Sequence, residues 1–160
     1  MNSREAIKVS ADMADYISTA YLGDLSDADF FQRPHSQCNH INWQVGHLIA
    51  SENQMLNGIV SGGMPSLPEG FAAKYTKETA SENEPSKFAT KEVLMSTYKA
   101  QRAAMLAALE KMSDSQLDTA TGVDYAPTVG AMFAMQGSHW LMHCGQWVIV
   151  RRNLGKPVVI

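Results

Sequence analysis

The sequence predicts an all-α fold, a four-helix bundle with a long connection between its second and third helices. Two observations carry the prediction. Apolar residues recur at three- and four-residue steps along four stretches, and residues that start or stop helices bracket those stretches. No stretch alternates apolar and polar residues well enough to read as a strand.

Ile7, Ala11, Ala14, Ile17 and Tyr21 define the first helix, from about Ser3 to Leu22, with Gly23 as its stop. The following "LSDADFF" offers Ser26 as the cap of a short turn. Beyond the polar "RPHSQCNH", the apolar positions Ile41, Val45, Leu48, Met55, Leu56 and Ile59 predict a second helix over residues 39–60, capped by Asn39 or Ser36. "SGGMPSLPEGFAAKYTKETASENEPSKFA" holds no period. A connection of that length serves either as a lid or wall of a site, or as a mobile solvated loop. Leu94, Tyr98, Gln101, Met105, Ala108 and Met112 predict a third helix over 90–112, capped by Thr90, and Ser113 with Gln116 has capping-box spacing for another short turn. The fourth helix runs over 127–153, with Pro127 in its first turn and Gly155 and Pro157 closing it.

"LSDADFF" after the first helix and "MSDSQLD" after the third each lead through a polar loop to a helix bearing histidine. Ser-Asp is ordinary chemistry after a helix, yet the pattern also reads as two helix-turn-helix halves. In that case pseudo-twofold symmetry brings the second and fourth helices face to face, with His47 opposite His139 and His143.

At 160 residues the chain is expected to form one domain, residues 1–160, whose folding buries roughly 70% of the unfolded chain's surface. Apolar residues make up 45% and charged residues 18%, a globular composition. Thirteen Lys and Arg against sixteen Asp and Glu give a net charge of -3, so no basic field is available for nucleic acid. Two cysteines, Cys38 and Cys144, are too few for a disulfide framework, and "MNSREAIKVSADMADYI" has no apolar leader. With no apolar run near the ~18 residues that span a bilayer, the expectation is a cytoplasmic protein without a membrane partner.

His139, His143 and Gln146 fall in one sector of the fourth helix, together with Met132, Met135 and Val150. Residues four apart have Cβ atoms ~5–6 Å apart, close enough for two imidazoles to share one ion. Two other uses remain open: each histidine could pack in the core, bonded to a backbone carbonyl or to Gln146. His47 supplies a third imidazole, completing the three-ligand set of an open catalytic site, but it sits ~100° from the middle of its helix's apolar stripe. The site is therefore expected to open on that flank, where Gln44 and Ser51 also point. His35 and His40 are expected at the surface, Cys144 as small core filler. Trp140 occupies the place where a His-Glu-x-x-His protease needs its general base, which excludes that reading. Glu52 is the nearby carboxylate to weigh as ligand, base or supporting partner, against a simple solvated role.

"NHINWQVGHLIASENQML" and "HWLMHCGQWVIVRRNLGKP" together resemble the two signatures of the DinB/YfiT-like family of bacterial four-helix bundles. The resemblance extends over nearly the whole chain, including Leu67 to Phe71 and "YKAQRAAMLAALEKMSDSQL". It implies a mononuclear metal site made by His47, His139 and His143, and Gln146 matches a glutamine that commonly follows the last histidine. It also implies a divalent cation such as Zn, Ni or Fe, and thiol-dependent transferase or isomerase chemistry with a low-molecular-weight thiol such as mycothiol or bacillithiol. Two other functions stand beside this one. The first is a non-catalytic metal-binding stress-response module. The second is a metal-free interaction domain in which Trp43, Ala50 and Trp147 form the face of a homodimer.

Overall fold

The computed structural model describes residues 1–159, and its helices are α1 (Ser3–Gly23), α2 (Ile41–Ile59), α3 (Lys91–Glu110), the single-turn α4 (Asp114–Leu117) and α5 (Val129–Asn153). The four long helices form the expected all-α bundle, with no strand among the described residues.

Capping chemistry sets most of the boundaries. Asn2 and Glu5 close a capping box on α1, while Thr90 and Thr128 accept the Val93 and Ala131 amides at the starts of α3 and α5. Pro127 thus precedes the cap of α5 and does not sit in its first turn. Both serine turns are reciprocal: Ser26 exchanges bonds with Asp29, and Ser113 with Gln116. The expected cap of α2 needs correction. Neither Asn39 nor Ser36 fills it; His40 does, its Nδ1 accepting the Trp43 amide at 2.9 Å. An imidazole with a free lone pair can do the work of a carboxamide oxygen here.

Contacts between helices fix their directions. Along α1 and α5, the Gly137 Cα lies against Ser10, Cys144 against Ser18 and Arg151 against Tyr21, so these helices are parallel. Asn42 meets Ala89, Ile49 meets Gln101 and Glu52 meets Arg102, so α2 also runs parallel to α3. Gln44 meets Trp147, Glu52 meets Trp140 and Met55 meets Gln136, which makes α2 antiparallel to α5. Tyr98 against Asp15 and Arg4 against Met112 make α1 antiparallel to α3. Because α2 and α3 are parallel, the chain leaving the end of α2 must return roughly 28 Å to begin α3. That return is the long connection.

The connection is a wall held in place by specific bonds, not a solvated loop. It winds through 3₁₀ turns at Ala72–Tyr75, Lys77–Thr79 and Pro85–Lys87, and buries Phe71, Tyr75 and Phe88. The Tyr75 hydroxyl donates to Asn42 Oδ1 and accepts the Ala89 amide. Arg33 donates to the Ala80 and Glu82 carbonyls and to Asn83 Oδ1. Trp43 donates its indole N–H to the Thr76 carbonyl and Thr79 Oγ1.

Two apolar clusters fill the bundle. One contains Trp140, Trp147, Tyr98, Ile41 and Leu48; the other Leu56, Met105, Phe133 and Met132. Each fully buried large side chain contributes about 1.5–3 kcal/mol. Trp43 and Trp147 are 5% and 0% exposed and belong to the core, so the homodimer face expected from them is not a surface.

Gly46 lies in the middle of α2 because the Tyr75 ring occupies the place of its side chain: a Cβ there would stand 2.2 Å from Tyr75 Cε1. Gly46→Ala should therefore lower stability by about 1–3 kcal/mol, despite the better helix propensity of alanine. The urea midpoint checks this; a midpoint equal to or above wild type contradicts the packing argument.

Candidate metal centre

Helix α5 places His139 and His143 one turn apart on its inward side, and α2 brings His47 to them from across the bundle. Ring centroids are 5.3 Å apart for His139 and His143, 5.6 Å for His47 and His139, and 6.1 Å for His47 and His143. One nitrogen from each ring lies within 4.8 Å of the other two. Two nitrogens at ~2.1 Å from one ion can be at most ~4.2 Å apart, so small side-chain rotations suffice to close the group. These three residues form a group that could hold a metal ion.

The surroundings favour ligand-competent, neutral imidazoles. Burial lowers the pKa of His47, and burial with the neighbouring His47 lowers that of His139. His143 is the most enclosed; burial, then its two histidine neighbours, push it down to about 4. Near neutral pH the three rings are neutral, the protonation state a cation requires of its histidine ligands.

Two further residues hold the group in place. The Trp43 indole stacks on His47, with centroids 4.9 Å apart and planes 8° from parallel. Since that indole is bonded to Thr76 and Thr79, the connection fixes the plane of His47. Gln44 expected on the open flank is instead buried: its Oε1 stands 2.8 Å from His143 Nδ1 and 2.9 Å from Trp147 Nε1. Gln146 reaches the histidines only through Gln44, whose Nε2 donates to Gln146 Oε1 at 3.2 Å. The Trp43-to-His47 spacing of four is the available sequence signal for Trp43; no local spacing marks Gln44 as the partner of His143, 99 residues away.

Other expectations turn out differently. Glu52 is neither a solvated residue nor a member of the histidine group; it is 1% exposed, accepting the Trp140 indole at 3.0 Å, with Arg102 Nη2 at 3.4 Å. Burial raises its pKa against the opposing pull of Arg102. His40, expected at the surface, is fully buried between Phe31 and Phe88, whereas His35 is exposed as expected. Cys144 is buried beside Ser18, and burial raises its thiol to about 11, as suits core filler.

A cleft of about 560 Å³ opens at His47. Ala50, Leu67, Ala72 and Ala73 supply its apolar lining, Ser51, Gln54 and Lys77 its polar one. This is the flank that the position of His47 on its helix led one to expect, and Ser51 points there.

The sequence profile of the DinB superfamily matches residues 14–147, which include all three histidines. A conserved protein from Enterococcus faecalis, known from its crystal structure, superimposes with a TM-score of 0.71 over 98% of this chain and 99% of its own; at 17% identity it shares the fold. No curated protein matches the chain. Among the described residues, no helix is long and apolar enough to cross a membrane.

His40 generates a pH prediction. Its Nδ1 accepts from Trp43 N and its Nε2 lies 3.1 Å from the Glu82 carbonyl, so a second proton would meet the Trp43 N–H. Burial, and then Arg33, push its pKa from 6.5 down to about 4. The unfolded chain takes up this proton first, so the contribution is full above pH 6.5 and is lost as the pH falls toward 4, on the order of 3 kcal/mol. In metal-free protein, His40→Asn, which keeps a capping group, should flatten the fall of the urea midpoint between pH 7 and 4.5. Identical slopes for variant and wild type would remove His40 as its source.

Proposed function

The chain belongs to the DinB superfamily, and from that premise we propose that it is a metal-dependent enzyme acting on a small molecule, with His47, His139 and His143 as ligands of one divalent cation such as Zn, Ni or Fe. The observation that carries the proposal is the convergence of three neutral imidazoles, from two helices distant in sequence, one of which, His47, also lines a cleft of about 560 Å³.

A divalent cation with three neutral ligands keeps its full charge, and supplies the means of acidifying a thiol or a water molecule. The chain's own groups do the rest. Trp43 keeps the His47 ring in one plane, and Gln44 keeps His143 in one orientation. Leu67, Ala72 and Ala73, on the connection, exclude water from one side of the cleft, while Ser51, Gln54 and Lys77 offer polar partners to a substrate. A low-molecular-weight thiol of the mycothiol or bacillithiol kind is the co-substrate we favour, in a transfer or isomerisation reaction. Glu52 supports the site from behind, by binding the indole of Trp140 on the helix that carries His139 and His143.

Metal content of untagged protein, purified without nickel resin and measured by inductively coupled plasma mass spectrometry, tests this. About one ion per chain is expected, absent from a His139→Ala/His143→Ala variant. A wild-type chain that stays empty after incubation with Zn, Ni and Fe salts would refute the proposal. One ion whose removal lowers the melting temperature, with no turnover of any thiol and electrophile pair, would instead favour a metal that staples the bundle.

A further inference from the structure

We infer that Gln44 is a positioning residue that selects the tautomer of His143 and so presents Nε2, not Nδ1, to the metal centre. The consequence for metal rests on the function proposed above; the tautomer itself does not.

The assignment follows from groups that have only one hydrogen-bonding role. An indole N–H can only donate, and Trp147 Nε1 lies 2.9 Å from one amide atom of Gln44, so that atom is the oxygen. A backbone carbonyl can only accept, and Asn39 O lies 2.6 Å from the other amide atom, which is therefore the NH₂. Two independent neighbours thus fix the same orientation of the amide. His143 Nδ1 stands 2.8 Å from the oxygen so identified and must carry the proton. In a neutral imidazole the lone pair is then on Nε2.

The surroundings leave no second solution. Gln44 Oε1 has two lone pairs and two donors, and its NH₂ is shared between Asn39 O and Gln146 Oε1. Gln44 is 1% exposed and His143 7%, so water is not at hand to rescue a mismatched pair. The opposite tautomer would set lone pair against lone pair in a buried site, leaving His143 Nδ1 without a donor and Gln44 Oε1 with the Trp147 indole alone. A ligand histidine whose remaining N–H is held in this way has its ring direction and its basicity set before the ion arrives. His47 is held differently, by stacking on Trp43, so the two helices use different devices to aim their ligands.

The test uses the full chain with ¹⁵N-labelled histidine, stripped of metal by a chelator, and His143→Ala for assignment. Long-range proton-nitrogen correlation spectra should show His143 as the Nδ1–H form. In Gln44→Leu that form should no longer dominate, and affinity for Zn²⁺ should fall 10–100-fold. Gln44→Glu keeps an oxygen acceptor facing His143 and, protonated on its other oxygen as burial favours, still donates to Asn39 O; it should retain the Nδ1–H form and recover most of the affinity. An Nε2–H His143 in the wild type overturns the inference, as does a folded Gln44→Leu with wild-type zinc affinity. If Gln44→Leu does not fold by circular dichroism, the wild-type and Gln44→Glu spectra still decide. A wild type that binds no Zn²⁺ refutes the function proposed above while leaving the tautomer result standing.

Discussion

Two neighbouring helices that run parallel cannot be joined by a tight turn, and much of this molecule follows from the parallel course of α2 and α3. The chain must travel back the length of α2, and it does so pressed against that helix. Its contact with α2 is intimate at Gly46, where the Tyr75 ring takes the space of a side chain. One turn earlier in the helix, Trp43 reaches out to the Thr76 carbonyl and simultaneously covers the face of His47. The return path is thus also the support of a ligand and one side of the cleft. A bundle in which all neighbours alternated in direction would need no such segment and would have no such wall.

The same bundle accepts a costly polar layer. Glu52 and Arg102 lie between the two apolar clusters along α2 and α3, 1% and 5% exposed, at a separation of 3.4 Å. Glu52 Oε1 and Arg102 Nε find no partner. A buried pair in this geometry offers little net stability, because the cost of removing two charges from water is repaid only when every lone pair and proton is used. What the layer does provide is register. Glu52 binds the Trp140 indole, and Arg102 covers the Tyr98 ring, whose hydroxyl donates to Asp15, so one network ties α1, α2, α3 and α5 at a single height. The histidines sit nearer the start of α2, where that height determines whether His47 faces His139 and His143 or misses them by a turn.

How much of this the sequence revealed depends on the range of the interaction involved. Helices α1, α2, α3 and α5 were legible because apolar spacing is a local signal, and the histidine triad because two of its members share a helix face while the third lies on a similar signature. A histidine in a polar run, as His40 is, looks like a surface residue; its burial comes from Phe31 and Phe88 and from the Glu82 carbonyl, 42 residues on. The burial of Glu52 is hidden for the same reason, its cation being 50 positions away. The order of the connection could not be seen in a stretch with no period, because it is imposed by bonds from Arg33, Asn42 and Trp43 outside that stretch. On a helical wheel Gln44 shares the flank of His47, and only the packing of Trp147 shows why it turns inward.

The histidine group joins position 47 to positions 139 and 143, across more than half of the chain. Small zinc domains take their ligands from short loops, so the ion can nucleate the fold. Here a chain emerging from the ribosome carries a single member of the group until its last helix is made, and the three rings meet only when the two halves have docked. Contacts of such long range form late, after the loop-closure entropy has been met by apolar packing. Capture of an ion by all three rings would then mark a finished fold, and a chain stalled before α5 would offer an ion one ring of the three.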